Sequence, residues 1–172
     1  EGASTLTGLL RSDDSYWAVQ ALRGLGIDVV VDDTTAHIRG CGGRWPITSG
    51  RLFVGSAGTL ARFLPGSLAA APEGTWEVDG SQQLRRRPVA PLVEALRDLG
   101  AVIDYLTDTP TLPIRVAAGL NGGEVEIPGN VSSQFTSGVL IAAPYAREAV
   151  RVTVTGGLVQ PEYVGITIAL MQ

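Results

Sequence analysis

Polar caps and apolar periodicity divide the chain into alternating strands and helices. Ser4–Leu10 reads as a strand, and Ser12-Asp13-Asp14 as a helix N-cap with acids in its first turn. Trp17, Val19, Ala21, Leu22 and Leu25 give that helix its buried stripe, and Gly26 ends it. Two strands follow, Ile27–Val31 and Thr35–Arg39, joined at Asp32-Asp33. Arg51–Val54 is a short strand, and Gly55-Ser56-Ala57-Gly58-Thr59 opens a helix reaching about Ala71. Thr75–Asp79 is a strand and Gly80–Arg86 a polar loop. Arg87-Pro88 then starts a helix over Val89–Leu99 that stops at Gly100. Ala101–Leu106 and Leu112–Ala117 form a strand pair. Strand Glu124–Ile127 ends in a Gly129-Asn130 turn, and Ser132-Ser133-Gln134 caps a helix with the apolar run Val139–Ala143. Ala149–Thr155 and a helix from Pro161, still apolar at Met171, complete the order.

The same order recurs. Ala21-Leu22-Arg23-Gly24-Leu25-Gly26 returns 74 residues later as Ala95-Leu96-Arg97-Asp98-Leu99-Gly100. Thr59 and Gln134, each in the first turn of a helix, are 75 apart, as are Pro88 and Tyr163, and Leu96 and Met171. One unit is therefore strand–helix–strand–helix–strand–strand. Residues 51–117 hold a whole unit, 1–39 the back of one and 124–172 the front of one, within a single domain over 1–172. A unit that cannot bury its sheet alone must stack on its neighbours. The expected fold is α/β, with helices inside, sheets outside and several helix N-termini at one end.

Composition narrows the function. The 172 residues are 45% hydrophobic and 17% charged with a net charge of −4, as in ordinary globular proteins. The acidic balance argues against nucleic acid as partner. No apolar run reaches the ~18 residues of a membrane span, and Glu1–Arg11 lacks the pattern of a secretory signal. One cysteine, Cys41, suits a reducing compartment, and a cytoplasmic location is expected. One histidine, His37, in an alternating run, reads as a strand residue facing water rather than a metal ligand. Ser132, Ser133 and Gln134 surround the positive end of a helix with neutral hydrogen-bonding groups, an arrangement suited to an anion or polyol.

Leu52-Phe53-Val54-Gly55-Ser56-Ala57-Gly58-Thr59-Leu60-Ala61-Arg62, then Arg87-Pro88, then Gly129-Asn130-Val131-Ser132-Ser133-Gln134-Phe135 resemble the enolpyruvyl transferase family, over the whole chain. Nearest within it are members whose acceptor is shikimate 3-phosphate. The resemblance implies two domains of three such units hinged around a cleft. It also implies transfer of enolpyruvyl from phosphoenolpyruvate to the acceptor's 5-hydroxyl with release of phosphate. No cofactor or metal, and a monomeric parent enzyme, are implied too. This chain would be most of the domain that holds shikimate 3-phosphate, its partner being the second domain of the same enzyme.

Residue by residue, Ser132, Ser133, Gln134 and Tyr163 match the shikimate 3-phosphate contacts, and Gln160 falls where the family has a phosphate-binding serine. Gly58, Arg87 and Gln134 match the phosphoenolpyruvate site, with Ser56, an asparagine in the family, and Thr59 beside them. Gly58 is where a side chain would crowd the inhibitor glyphosate. A fixed guanidinium fork suits an anionic substrate at Arg87, while Arg85 and Arg86 read as solvated loop. Glu162 adds a charge near the phosphate position. The family's Lys-Ser-x-x-x-Arg segment, general-base aspartate, catalytic glutamate and second-domain cations have no counterpart in these residues. The chain is thus expected to hold ligand without turnover. A nucleotide-sugar branch carries a cysteine before the Arg-Pro, where this chain has Gly80-Ser81-Gln82-Gln83-Leu84. An acceptor from secondary metabolism, and a binding or structural module without catalysis, are the other readings.

Overall fold

The computed structural model describes residues 2–172; Glu1, the first residue of the first repeat unit, lies outside them. The first unit contributes β1 (Gly2–Leu6), α1 (Asp13–Gly24), β2 (Asp28–Asp32) and β3 (Thr35–Gly40). The second is β4 (Ser49–Phe53), α2 (Gly58–Ala69), β5 (Thr75–Asp79), a one-turn α3 (Gln82–Arg85), α4 (Ala90–Asp98), β6 (Val102–Tyr105) and β7 (Ile114–Ala117). The third is β8 (Gly123–Pro128), α5 (Ser133–Ala142), β9 (Val150–Thr155) and α6 (Pro161–Met171), with a short 3-10 turn at Ala143–Tyr145.

The sheets carry the repeat in their topology. The middle sheet has the order β4-β5-β7-β6, with β4 and β5 parallel and the other pairs antiparallel. The first sheet, β1-β3-β2, is all antiparallel and repeats its last three strands. The third, a parallel β8-β9 pair, repeats its first two. The recurring Ala-Leu-Arg segment acquires a physical role. Arg23 donates from Nε and Nη2 to the carbonyl of Val29 at 3.1 and 2.8 Å. Arg97 does the same to Ile103, at 2.9 and 2.5 Å. In both copies a guanidinium fork ties the helix to the strand after the glycine turn, and Gly26 and Gly100 take positive φ to make that turn.

Helices α2, α4 and α5 form the inside. Leu68, Leu92, Leu96, Phe135 and Val139 are fully buried there, and Trp76, Val78 and Ile114 cover them from the middle sheet. Helices α2 and α5 cross almost backbone to backbone. A Cβ at Gly66 would stand 2.6 Å from the carbonyl oxygen of Gly138, and one at Gly138 would overlap the carbonyl oxygen of Arg62. This crossing fixes the two helix N-termini side by side.

Several boundaries differ from expectation. The first strand ends at Leu6, where its pairing with β3 runs out, rather than at Leu10; the Leu9 N–H instead bonds the Thr34 carbonyl at 2.8 Å. The strand expected at Arg51–Val54 begins at Ser49. Pro88 is not the first residue of a helix. Val89 is the N-cap and Pro91 occupies the first turn, so Arg87 lies in the bend just after α3, its N–H bonding the Leu84 carbonyl at 2.9 Å. The polar loop over 80–86 contains α3 because Ser81 Oγ accepts the Leu84 N–H at 3.2 Å and the Leu84 side chain is buried. Arg85 is exposed as expected, but it is not a free loop residue. It grips both carboxylate oxygens of buried Asp79 at 2.8 and 2.5 Å, and Asp79 also accepts the Gly80 N–H at 2.7 Å. His37 does face water, on β3.

Tyr105 gives the fold a pH dependence. Burial first, and then the Glu94 carboxylate that accepts its hydroxyl at 3.3 Å, push its pKa up to about 12. An unfolded tyrosine titrates near ~10. The neutral form is therefore favoured by folding, and its stabilising effect is complete below pH ~10 and lost as pH rises toward about 12. Urea midpoints measured across that window should fall for the parent chain and fall less for Tyr105→Phe; equal slopes would refute the assignment.

Candidate anion-binding site

The site forms where α2 and α5 begin. Ala57, the N-cap of α2, offers no side-chain acceptor to the first-turn N–H groups, so that end of the dipole stays uncapped by side chains. Gly58 follows, and its missing Cβ leaves room for two guanidiniums. A Cβ there would collide with Arg87 Nη1 and stand 2.9 Å from Arg62 Nη1. Arg62, one turn on, is buried and donates from Nη1 to the Gly58 carbonyl at 2.7 Å. Its guanidinium lies over the Phe135 ring, 5.6 Å from the centroid. Neither Arg62 nor Arg87 has a carboxylate partner among the described residues. Burial, and then the nearby Arg87 charge, pull the Arg62 pKa below the ordinary arginine value.

Helix α5 supplies the other wall. Ser132 is its N-cap and accepts the Gln134 N–H at 3.3 Å. Ser133 is buried in the first turn. Gln134 Nε2 donates to Thr59 Oγ1 at 3.2 Å, so the two positions 75 residues apart in the repeat are bonded to each other. Ser56 is exposed, its hydroxyl 2.8 Å from that of Ser81. The segment before α6 lies against the turn before α5, through the Val159 N–H bonded to the Gly129 carbonyl at 2.9 Å. Gln160 is the exposed N-cap of α6 in the left-handed region, with φ 51°. Tyr163, half-buried, faces Phe63 of α2 with ring centroids 6.5 Å apart and is near enough to Arg62 to influence its charge.

The structure thus brings Gly58, Arg87 and Tyr163 close to Arg62, and joins Thr59 to Gln134, with Ser132 and Ser133 on the same turn as Gln134. Ser56 lies on the flank, beside Ser81, and Gln160 sits on the neighbouring segment. Arg62 is the residue sequence reasoning passed over. Its signal was present: it is the one charged side chain in α2, four residues after Gly58, on a helix otherwise of small and apolar residues.

The family model for EPSP synthase (3-phosphoshikimate 1-carboxyvinyltransferase) matches residues 1–172. The chain belongs to the EPSP synthase family. The 3-phosphoshikimate 1-carboxyvinyltransferase 2 of Halalkalibacterium halodurans is 50% identical over 170 residues, 98% of this chain and 38% of that protein. The 3-phosphoshikimate 1-carboxyvinyltransferase of Pseudomonas savastanoi pv. phaseolicola is 39% identical over 173 residues, 100% of this chain and 41% of that protein. The solved EPSP synthase of Acinetobacter baumannii superposes with a TM-score of 0.81 at 28% identity, covering 93% of this chain and 36% of that one. The chain spans about two fifths of the length of the relatives it matches. The inside-out packing of helices and sheets is that of the EPSP synthase family. Among the described residues no helix is long and apolar enough to cross a membrane.

Proposed function

We propose that this chain holds the two anionic substrates of a 3-phosphoshikimate 1-carboxyvinyl transfer. Enolpyruvyl passes from phosphoenolpyruvate to the 5-hydroxyl of shikimate 3-phosphate, and phosphate leaves. The observation that carries the reading is the pairing of two guanidiniums, Arg62 and Arg87, beside Gly58, with no carboxylate partner among the described residues, at the end of α2 left uncapped by side chains. Such a place takes an anion.

Arg87, exposed and in the bend after α3, grips phosphoenolpyruvate with its fork while Gly58 lets the ligand approach the backbone. Gln134, fixed by Thr59, stands between the two substrates. Ser132, Ser133 and Tyr163 hold shikimate 3-phosphate, with Gln160 beside its phosphate. The role of these groups is orientation and charge compensation in the approach of the hydroxyl to the enol phosphate. The proton transfers, which need groups these residues do not supply, fall to a second domain of the same enzyme, closing over the site. Cys41, a free thiol, fits the reducing cytoplasm.

Calorimetry tests this. Shikimate 3-phosphate should release heat on binding the chain, and phosphoenolpyruvate should bind more tightly once it is present. Arg87→Ala should weaken phosphoenolpyruvate and Ser133→Ala shikimate 3-phosphate, each by roughly tenfold, the worth of one lost charge-assisted or buried hydrogen bond. Unphosphorylated shikimate binding as well as shikimate 3-phosphate would reject the acceptor, and no heat with either ligand would reject the site.

A further inference from the structure

Arg62 is built unlike a structural arginine. Structural buried arginines pair their charge, because burying one alone is costly. Arg62 has only 7% of its surface exposed, has no carboxylate partner among the described residues, and its Nε is buried without a hydrogen-bond partner. Its one hydrogen bond goes to the carbonyl of Gly58, in the first turn of its own helix. Its Nη1 and the Nη1 of Arg87 crowd the same empty Cβ position. Two like charges are thus held together, one of them in a dry environment, where repulsion is strongest. The lowered pKa of Arg62 has the same two causes, burial and Arg87.

We infer that Arg62 is a positioning residue that never needs to touch substrate: it fixes the Gly58 turn and sets its charge against Arg87 as an anion-receptive pair, at the expense of the unliganded fold. The inference rests on the reading of this site as the phosphoenolpyruvate cradle and adds a residue and a mechanism to it. The Gly58 bond locks the first turn of α2. The Phe135 ring, on the helix that carries Gln134, fixes where the charge sits. Because the ring is hydrophobic, nothing on that side screens Arg87 from it. An arriving dianion removes the repulsion, so binding and stability are coupled through Arg62.

The coupling gives variants an unusual sign. Arg62→Met keeps length and apolar contact with Phe135 but removes the charge; Arg62→Lys keeps charge but loses the fork; Arg62→Gln keeps a donor for Gly58 should methionine prevent folding. Thermal unfolding and binding are followed on the full chain, with inorganic phosphate and with phosphoenolpyruvate as probes. The expected result is that Arg62→Met, or Arg62→Gln in its place, unfolds at the parent temperature or above it without ligand. The same variant loses at least tenfold in affinity for both probes, and Arg62→Lys falls between it and the parent. A plain structural role predicts the opposite, a lower unfolding temperature with affinity within twofold of the parent, and that result overturns the inference. If the parent binds phosphate and phosphoenolpyruvate equally and Arg62→Met weakens both, the substrate reading fails while the role of Arg62 stands. If the parent binds neither, both fail.

Discussion

Gly138→Val is expected to cost the fold about 3 kcal/mol or more, beyond the ~1–3 kcal/mol usual for overpacking. The reason is what its side chain would meet. A Cβ at Gly138 overlaps the Arg62 carbonyl oxygen, and Leu92 Cδ1 is 3.3 Å away. A flexible side chain could swing aside, but a helix carbonyl cannot. Helices α2 and α5 would have to separate, and the close approach of Gly66 to the Gly138 carbonyl, which leaves no room for a Cβ at Gly66, would open with them. A domain of this size has only ~5–15 kcal/mol in total, so the loss is a large fraction of its stability. Gly165→Ala is the control. Gly165 lies inside α6 with nothing within 4 Å of its Cβ position, so alanine there should add ~0.5–1 kcal/mol by helix propensity alone. Urea denaturation of both variants decides the matter. An unchanged midpoint for Gly138→Val would mean that the crossing is looser than described. The crossing also sets the site. Separating the helices pulls Gln134 from Thr59 and Phe135 from Arg62, so whatever folded Gly138→Val remains should bind anions poorly.

The repeat explains why so much of this was legible. Caps and periodicity placed the helices to within a few residues, because Ser12 and Ser132 cap them through local hydrogen bonds. The 75-residue offset then said which positions are equivalent, and the Gln134–Thr59 bond joins one such pair. Other features depend on partners that no local pattern names. Arg85 looks like loop until Asp79, six residues earlier and buried, turns out to face it. Pro88 looks like a helix start because proline favours that position, yet it lies in the link between α3 and α4, and Pro91 takes the role. Leu9 and Leu10 extend the first strand on paper, but β3 has no residues left to pair with them. Arg62 was the hardest to read. A charged residue in a helix is ordinarily on its wet face, but packing of α2 against α5 and the segment before α4 encloses this one. Sequence motifs pointed to the candidate site residues; Arg62, enclosed beside them, is visible only once the helices are packed.

Gly58→Ala should separate binding from stability. Alanine suits a helix better than glycine by about 1 kcal/mol, and the backbone at Gly58 has ordinary negative φ, so the local effect is stabilising. The new Cβ would meet two guanidiniums rather than backbone. Arg87 is exposed in the bend after α3 and can swing away at little cost. Arg62 is enclosed by Phe135 and bonded to the Gly58 carbonyl, so it stays. The unfolding temperature should therefore hold or rise slightly. Anion binding should behave otherwise. Displacing Arg87 removes the fork from the ligand, and the methyl group occupies space the ligand would use against the first turn of α2. Together these should cost tenfold to a hundredfold in phosphoenolpyruvate affinity, about 1.4–2.7 kcal/mol. Shikimate 3-phosphate, proposed above to sit on the α5 side against Ser132 and Ser133, should lose less than threefold. That asymmetry is the informative part. A parallel loss of both ligands would place shikimate 3-phosphate on Gly58 and Arg87 too, and an unchanged phosphoenolpyruvate affinity would remove Gly58 and Arg87 from the site. A pronounced drop in unfolding temperature would mean that Arg87, not only Arg62, is locked in the fold, contrary to its exposure.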